Sequence, residues 1–471
     1  MPATAGDLRR MERDLKQAAM VLRGASSISI VTHIDADGIS AGAIADLTCD
    51  RLGLDHRVTF EKKITPEAIE RIDSAPEDVV WICDLGSGYL SEFGRESIVI
   101  TDHHVPDPKW RTRDQTILDS YCGISHLNPH SYDMDGSYEI CGAGMTYLLS
   151  KAVDPANTDL AYLAVVGAVG DFQDSSHSGL VSMNRAVLQD AVDCGSAVID
   201  RDLRFFGRET RPINQYLQFS SDPSVPGISD NPRGCFDLLD SNGVAAKDGQ
   251  RWRTWMTLTE AERERLTDAI LEMVPQDQRD RAFGEMYRFP AMPEGTGLRD
   301  AKEFATVLNS CGRYDDAVTG LRICRGDMGA LKEAEANRAD HRKHISSAMM
   351  YIRDHHLLRE RRFIQWFDAG SEIRETVVGI VAGMLLSSPE CPRNVPIVAF
   401  ADSDDGVKVS ARADRSLVDR GLDLSQVMKV AAELVGGTGG GHSVAAGATI
   451  PPDRKEEFLD IVEDLVSSQV E

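Results

Sequence analysis

The chain is short of three things. Its 471 residues hold nine cysteines, none of them in a C-x-x-C pair; the nearest two, Cys311 and Cys324, lie 13 apart. This excludes a zinc ribbon and a disulfide framework and fits a reducing compartment. No segment approaches the roughly 18 apolar residues of a membrane span, and the first residues lack the about 7–15-residue apolar core of an export signal. A cytoplasmic protein with no membrane partner is therefore expected. Positive charge is the third shortage: 51 basic residues face 75 acidic ones, a net charge of −24, and arginine far outnumbers lysine. A nucleic-acid binder normally shows a basic face, so the balance speaks against one at first sight. The acidic residues are nonetheless spread along the chain without an acidic tail, the pattern of a protein from a high-salt cytoplasm. The plainer alternative is an acidic protein that never meets nucleic acid. The glycine run at Gly436–Gly441 lacks the Lys-Ser/Thr of a P-loop, which speaks against that kind of nucleotide triphosphatase.

What is present is hydrophobic content of 42%, enough for real cores, on a chain long enough for two or three domains. Ile28, Ile30 and Val31 suggest a buried strand, and Val31-Thr32-His33-Ile34-Asp35-Ala36-Asp37-Gly38 follows. His33, Asp35 and Asp37 stand at alternate positions, so on an extended segment they converge, with a helix opening at Gly38 and Ser40. An imidazole with carboxylates suits Mn²⁺ or Mg²⁺. One such motif can be a solvated turn; here it recurs. Val79–Cys83 reads as a second buried strand ending in Asp84-Leu85-Gly86-Ser87-Gly88, and Ser97–Thr101 as a third ending in Asp102-His103-His104. An apolar helix from Leu160 to Val169 ends in Gly170-Asp171. Four elements that each deliver His or Asp at an end point to a polynuclear metal centre at the carboxyl edge of an open sheet.

With these motifs in order, the sequence resembles the DHH phosphoesterase superfamily, named for the triplet at Asp102-His103-His104, and within it the RecJ-like single-strand exonucleases of archaeal, haloarchaeal type. Three later stretches carry the resemblance further: Asn309-Ser310-Cys311-Gly312-Arg313, Val409-Ser410-Ala411-Arg412, and Gly437–His442 followed by Ala445-Ala446-Gly447. The last two resemble the DHHA1 domain. The implied fold is α/β in two lobes: an N-terminal, mainly parallel-sheet DHH domain and a smaller C-terminal α/β DHHA1 domain, joined by a helical connector. The expected bounds are a DHH domain at 1–200, a helical or irregular middle region at 201–326, a connecting helix at 327–360 and a DHHA1 domain at 361–471.

The rest of the chain is read from pattern. Residues 7–22 make an amphipathic helix, and Ile124–Asn128 a further strand. Gly142 and Gly144 can bring a helix N-terminus close to a phosphate, or only ease helix entry. His126 and His130 could add ligands. Ser175–Gly179 reads as a loop and Thr259–Met273 as a helix capped by Thr259. Trp252 and Trp255, beside Arg251 and Arg253, can stack bases, although tryptophan is more often core. In the second lobe Arg362–Phe367, Pro396–Phe400 and Val407–Ser410 read as strands, Ile373–Leu386 as a helix and Gly436–Gly441 as a loop.

The resemblance also implies roles. Two divalent ions are expected, Mn²⁺ before Mg²⁺, with His33 and Asp35 on one, Asp37, His103 and Asp171 on the other, and Asp84 bridging both. His104 would touch the scissile phosphate, and Asp102 would orient His103. Asn309 and Arg313 would line the strand path, while Arg412, Gly440, Gly441 and His442 would hold neighbouring phosphates, with a cleft between lobes admitting one strand. The implied activity is metal-dependent exonuclease action on single-stranded DNA or RNA. The alternatives are a small-molecule phosphodiesterase or pyrophosphatase acting on short oligonucleotides or cyclic dinucleotides, and a replication-complex scaffold. Implied partners are single-stranded nucleic acid and replication proteins of the GINS kind.

The charge balance makes one prediction by itself. At 0.01 M salt the Debye length is about 30 Å, and self-repulsion acts across the whole molecule. The thermal midpoint should climb from low salt to molar KCl; a flat midpoint in a salt series followed by circular dichroism would contradict the high-salt reading.

Overall fold

The computed structural model describes residues 4–109, 123–175, 178–220, 223–386, 388, 391–392, 394–441 and 443–470, with the side chains of 338 and 340–342 excepted. The chain divides into two compact units, residues 1–335 and 336–471.

The first unit begins with α1 (Ala5–Gly24), β1 (Ser27–His33), α2 (Ala36–Leu52), β2 (Asp55–Glu61), α3 (Pro66–Asp73), β3 (Val79–Cys83), β4 (Ile98–Thr101) and β5 (Ile124–Leu127). The strands form one parallel sheet in the order β2-β1-β3-β4-β5. Parallel sheets are covered on both faces, which is why β3 is an unbroken run of buried residues. One face packs α2 together with α4 (Gly142–Val153) and α5 (Ala161–Gly170); Ile64, Ile72 and Leu90 cover the other. The sheet is pinned through polar contacts as well: buried Trp81 donates to Thr101 Oγ1 at 3.0 Å, and Thr101 meets Thr146 of α4 at 2.8 Å. The strand order turns back beside β1, so the carboxyl ends of β1 and β3 flank a topological switch point.

After α6 (Ser182–Asp193), the middle region holds β6 (Val198–Leu203), α7 (Ile213–Gln218), α8 (Pro232–Ser241), the hairpin β7 (Lys247–Asp248) and β8 (Arg251–Trp252), α9 (Glu260–Met273), α10 (Arg279–Ala282) and β9 (Phe283–Arg288). It has its own core around Phe205, Tyr216 and Trp255. Thr259 caps α9 in a reciprocal box with Glu262. The base-stacking reading of Trp255 is corrected: it is fully buried, stacked on Tyr216 at 5.2 Å, with Nε1 donating to Asp202 at 2.8 Å. Trp252 is half-exposed but lies under the Lys247 ammonium, 4.3 Å from its ring centroid. The helices α11 (Ala301–Arg313), α12 (Ala317–Cys324) and α13 (Met328–Asp354) follow.

The second unit comprises β10 (Arg359–Glu360), β11 (Gln365–Asp368), α14 (Glu375–Leu386), β12 (Ile397–Ser403), β13 (Gly406–Arg412), α15 (Arg415–Val418), α16 (Leu424–Leu434), β14 (Thr438–Gly441), β15 (Ala445–Ile450) and α17 (Lys455–Val470). Its mixed sheet runs β10-β11-β12-β13-β15-β14. Alternation along β12 feeds two cores: Val398 and Phe400 face α16 and α17, while Ile397, Ala399 and Ala401 face α14. The glycine loop expected at Gly436–Gly441 is instead an edge strand from Thr438, with Gly440 opposite Gly447 and Gly441 opposite Ala446. Packing is the reason for the glycines: a Cβ on Gly437 would lie 2.3 Å from Thr449 O, and one on Gly439 2.4 Å from Met428 O.

Phe400, in the middle of β12, meets Trp366 and Phe458 edge-on, with both ring centroids 6.2 Å away. Phe400→Ala should cost about 3–5 kcal/mol by urea denaturation; a loss under about 1 kcal/mol would mean the site collapses around the cavity.

Candidate metal centre

His33 is the last residue of β1, and Asp35 is the N-cap of α2, its Oδ1 accepting from Gly38 N at 2.9 Å. The helix therefore starts at Ala36, not at Gly38, and the expected extended convergence of His33, Asp35 and Asp37 is corrected. Asp37 lies in the first turn of α2 and faces another way. Its carboxylate accepts from Gly142 N at 2.7 Å and Ala143 N at 2.9 Å. These are the free N–H groups opening α4, so the anion held by that helix terminus is Asp37 rather than a phosphate.

Asp84 follows β3 with φ 57°, a left-handed conformation that few residues other than glycine adopt. The wall beside it must be glycine, since a Cβ on Gly142 would lie 2.4 Å from Asp84 Oδ1. Gly167 of α5 does the same for Asp37, at 2.3 Å from Oδ1. His103 follows β4, and Asp171 caps the end of α5.

These positions gather into overlapping groups whose ligand atoms lie within 4.8 Å of one another: His33, Asp35 and Asp84; Asp37, His103 and Asp171; and Asp84, His103 and His104. His33 Nδ1 is 2.9 Å from Asp35 and 3.5 Å from Asp84 Oδ2. His103 Nε2 is 3.3 Å from Asp84 Oδ1, 3.2 Å from Asp171 and 3.7 Å from Asp37. The two oxygens of Asp84 thus point to different imidazoles.

The bare cluster is short of positive charge. Burial and the neighbouring carboxylates of Asp84 and Asp171 push Asp37 well up, and burial pushes Asp171 up. Burial opposes charge on His33 and His103, yet the carboxylates around them win, raising His33 to about 11 and His103 well above the usual imidazole range. Burial would raise Asp84 too, but His103 and His33 hold it at about 2. His33 Nδ1, Asp84 Oδ1 and His103 Nε2 are buried without a hydrogen-bond partner. Orphaned buried polar atoms are rare. That these three, two imidazole nitrogens and a carboxylate oxygen, converge on one place fits divalent cations, and the oxygen and imidazole donor set fits Mn²⁺ or Mg²⁺.

Around the cluster the orientation of the two histidines differs from expectation. Asp102 does not orient His103. Its Oδ1 accepts from His104 Nδ1 at 2.7 Å and from the His103 and His104 backbone, and its Oδ2 from Ser87 N at 2.9 Å. The side chain turns back along its own strand end, where of the two imidazoles it meets that of His104. His103 Nδ1 instead donates to Gly136 O at 2.6 Å, and Gln173 Nε2 donates to the same carbonyl at 2.8 Å. Such partners fix the tautomer and aim the other nitrogen. The Asp-x-Asp-Gly run around Gly136 was visible in the sequence, but nothing marked its carbonyl. His126 is not among the ligand groups; burial lowers it to about 4, and Nε2 meets Ser87 Oγ at 2.9 Å. His130 is also outside those groups.

Asn309 belongs to the same construction. Its Oδ1 accepts from Ala36 N at 2.8 Å, between Asp35 and Asp37. A Cβ on Gly312 would lie 1.8 Å from Ile34 O, so α11 rests on the ligand turn itself. Arg313 is exposed at the end of that helix. In the second unit Arg412 ends β13, with Nη1 donating to Ala411 O at 2.8 Å and Nη2 against Gly379 of α14. No carboxylate among the described residues pairs with it, and burial alone lowers its pKa. Asp414 bonds Ser416 and Asp419 pairs with Arg415. His442 lies outside the described residues.

Comparison with known proteins places the fold. The DHH-CID domain family matches residues 205–280 and the DHHA1 domain family residues 363–468. An uncharacterized protein of Methanocaldococcus jannaschii is 27% identical over 453 residues, 94% of each chain. The structure of RecJ in complex with Mn²⁺ from Thermus thermophilus superposes with a TM-score of 0.55 at 18% identity. That match covers 97% of this chain but 55% of that one, so the chain spans just over half of the RecJ. CDC45 from Entamoeba histolytica gives a TM-score of 0.65 at 13% identity over 99% of this chain and 100% of that one. The chain thus carries a DHH-CID domain match and a DHHA1 domain match, on a fold that it shares with the RecJ and CDC45 structures.

Proposed function

We propose that this protein is a metal-dependent phosphodiesterase that removes nucleotides from an end of single-stranded DNA or RNA. The observation that carries the reading is Asp84, one buried carboxylate whose two oxygens serve two different imidazole-containing groups. His33, Asp35 and one Asp84 oxygen would hold one divalent ion. Asp37, His103, Asp171 and the other Asp84 oxygen would hold a second. When bound, such a pair supplies Lewis acidity and a nucleophilic water at neutral pH. Four carboxylates and two neutral imidazoles would balance two dications.

The other residues position the phosphate. Asp102 holds His104 Nδ1 and raises the pKa of its half-exposed ring, so Nε2 is left to donate to a phosphate oxygen. Arg412 would take a second phosphate farther along the strand with its planar fork. The shared fold of the RecJ named above, which is bound to Mn²⁺, supports this reading, and a high-salt habitat would reconcile it with the acidic composition. A small-molecule phosphodiesterase would use the same ligands without Arg412. A replication scaffold, with GINS-like partners, would need no intact ligand set.

The test uses single strands of DNA and RNA labelled at either end, in high salt with Mn²⁺, with Mg²⁺ or with chelator. Stepwise shortening should require the ion, and Asp84→Ala should abolish it while Mn²⁺ stoichiometry by calorimetry falls from two to at most one. Full activity in Asp84→Ala, or in chelator, would sink the reading. Arg412→Ala should lose kcat/KM on a long strand by roughly ten- to a hundredfold, the worth of a charge-assisted hydrogen bond at about 1.5–3 kcal/mol, and spare a dinucleotide. Equal losses on both substrates would remove Arg412 from the polymer contact.

A further inference from the structure

Beside the metal ligands, within the first unit, lies a cavity of about 540 Å³. It lies in the range of roughly 300–1,000 Å³ that small-ligand sites occupy. Two of the turns that carry ligands also form its wall. Gly170 and Phe172 line it on either side of Asp171, and Asn309, which holds Ala36 N, lines it too.

The lining is unusual for an acidic protein. Phe172, Phe206 and Phe219 supply aromatic rings, with the Arg211 guanidinium over the last two at 4.6 and 5.5 Å from their centroids, and Arg204 and Lys302 supply positive charge beside the Asp174 carboxylate. Phe172 is 76% exposed and Phe219 49%. Apolar rings at the surface beside a charged cluster call for an explanation. Phe172 also has φ 58°, the left-handed position after a helix that usually goes to glycine. Gln173 N bonds Ala168 O at 2.9 Å and Ser175 N bonds Phe172 O at 3.1 Å, which fixes the turn and with it the ring. Non-glycine residues held in this region cluster at functional sites, and this ring packs little.

Arg204 is the second independent sign. Its side chain is only 4% exposed, and Nη2 is spent on Asp174, at 2.8 Å to the carbonyl and 2.6 Å to the carboxylate. Nη1 has no hydrogen-bond partner. A buried guanidinium at a cavity wall with a spare donor suits a ligand that offers a ring nitrogen or carbonyl acceptor. Phosphate alone would use the charge but not the rings; a hydrocarbon would use the rings but not the donor. A nucleobase uses both.

We propose that this cavity is a nucleobase subsite, taking the base of the nucleotide beside the scissile phosphate, with Phe172 as stacking platform and Arg204 as donor. Which nucleotide it takes rests on the phosphodiesterase reading above; that it takes a base does not. Base binding at this point would also select nucleotides over other phosphodiesters, through binding energy applied next to the reacting group.

The test has two arms. In the first, the full-length protein in chelator is titrated by ligand-observed NMR with adenosine 5′-monophosphate and with ribose 5-phosphate. Wild type should bind the nucleotide at least tenfold more tightly. Phe172→Ala and Phe219→Ala should each bring it down to the sugar phosphate's level, with the circular dichroism spectrum unchanged. In the second, strands with an intact or an abasic terminal nucleotide are hydrolysed with Mn²⁺. The abasic strand should be cut at least tenfold more slowly by wild type and no more slowly than the intact one by Phe172→Ala. Equal binding of the two small molecules by wild type, or discrimination that survives in both variants, overturns the subsite and leaves the cavity to a protein side chain. Discrimination in the first arm without hydrolysis of either strand would overturn the phosphodiesterase reading and support the subsite. Hydrolysis that ignores the missing base would do the reverse.

Discussion

The structure is built around an electrostatic problem: four carboxylates, those of Asp35, Asp37, Asp84 and Asp171, share one spot at the carboxyl edge of a parallel sheet. Like charges at this separation in a partly buried place cannot all ionise without compensation. The fold supplies what fixed compensation it can. The N-terminus of α4 donates two N–H groups to Asp37, and the protonated form of each imidazole is favoured by two or more carboxylates. Neither device is enough, and the remaining imbalance appears as raised pKa values at Asp37 and Asp171. Metal-site chemistry makes such crowding useful, because a cation completes it.

The crowding dictates backbone as much as side chains. Carboxylates can come this close to helices α4 and α5 only where the helices lack Cβ atoms, at Gly142 and Gly167. Asp84 reaches its place only by taking a left-handed φ, and Phe172, next to Asp171, takes another. Outlying backbone conformations at Asp84 and beside Asp171 are consistent with strain held by a surrounding structure that fits only this arrangement.

Much of this was legible in the chain. Buried β runs that end in His or Asp, and an apolar helix that ends in Asp171, mark the clustered positions because a parallel sheet sends all its strand ends to one edge. What was not legible depends on contacts between residues far apart in sequence. Asp37 looked like the third member of an alternating strand, since local spacing cannot show that Asp35 caps the helix at once. The helix opening at Gly142 could be read as ready for a phosphate or as plain helix entry, since nothing in its own sequence names Asp37, 105 residues earlier, as its anion. Asp102 looked like a partner for the His103 ring, and a rotamer decides that it serves His104. The glycines from Gly437 read as a loop because glycine is the usual residue of turns, and here close packing against α16 and β15 outweighs that preference.

The least readable part of the chain, the middle region, turns out to support the ligand turn. Arg208 is fully buried there, with Nε 2.7 Å from Asp300 and Nη1 3.2 Å from Asp200. Asp300 in turn caps α11, accepting from Lys302 N and Glu303 N. Glu209 N donates to Glu303 of the same helix at 2.7 Å. The helix so anchored carries Asn309 and Gly312, which grip Ala36 N and the Ile34 carbonyl. An apolar contact of equal area could stabilise the region as well, for buried ion pairs often break even against hydrophobic packing. It would not, however, fix the axial position of α11, because hydrophobic contact is non-directional. Asn309 must meet one backbone N–H within a few tenths of an ångström, and Gly312 must seat against one carbonyl, so sliding of the helix would loosen the turn between Asp35 and Asp37. A guanidinium with fixed donor directions, locked on the residue that caps the helix, removes that freedom. Arg208 is thus spent inside, on geometry that the clustered carboxylates and imidazoles need.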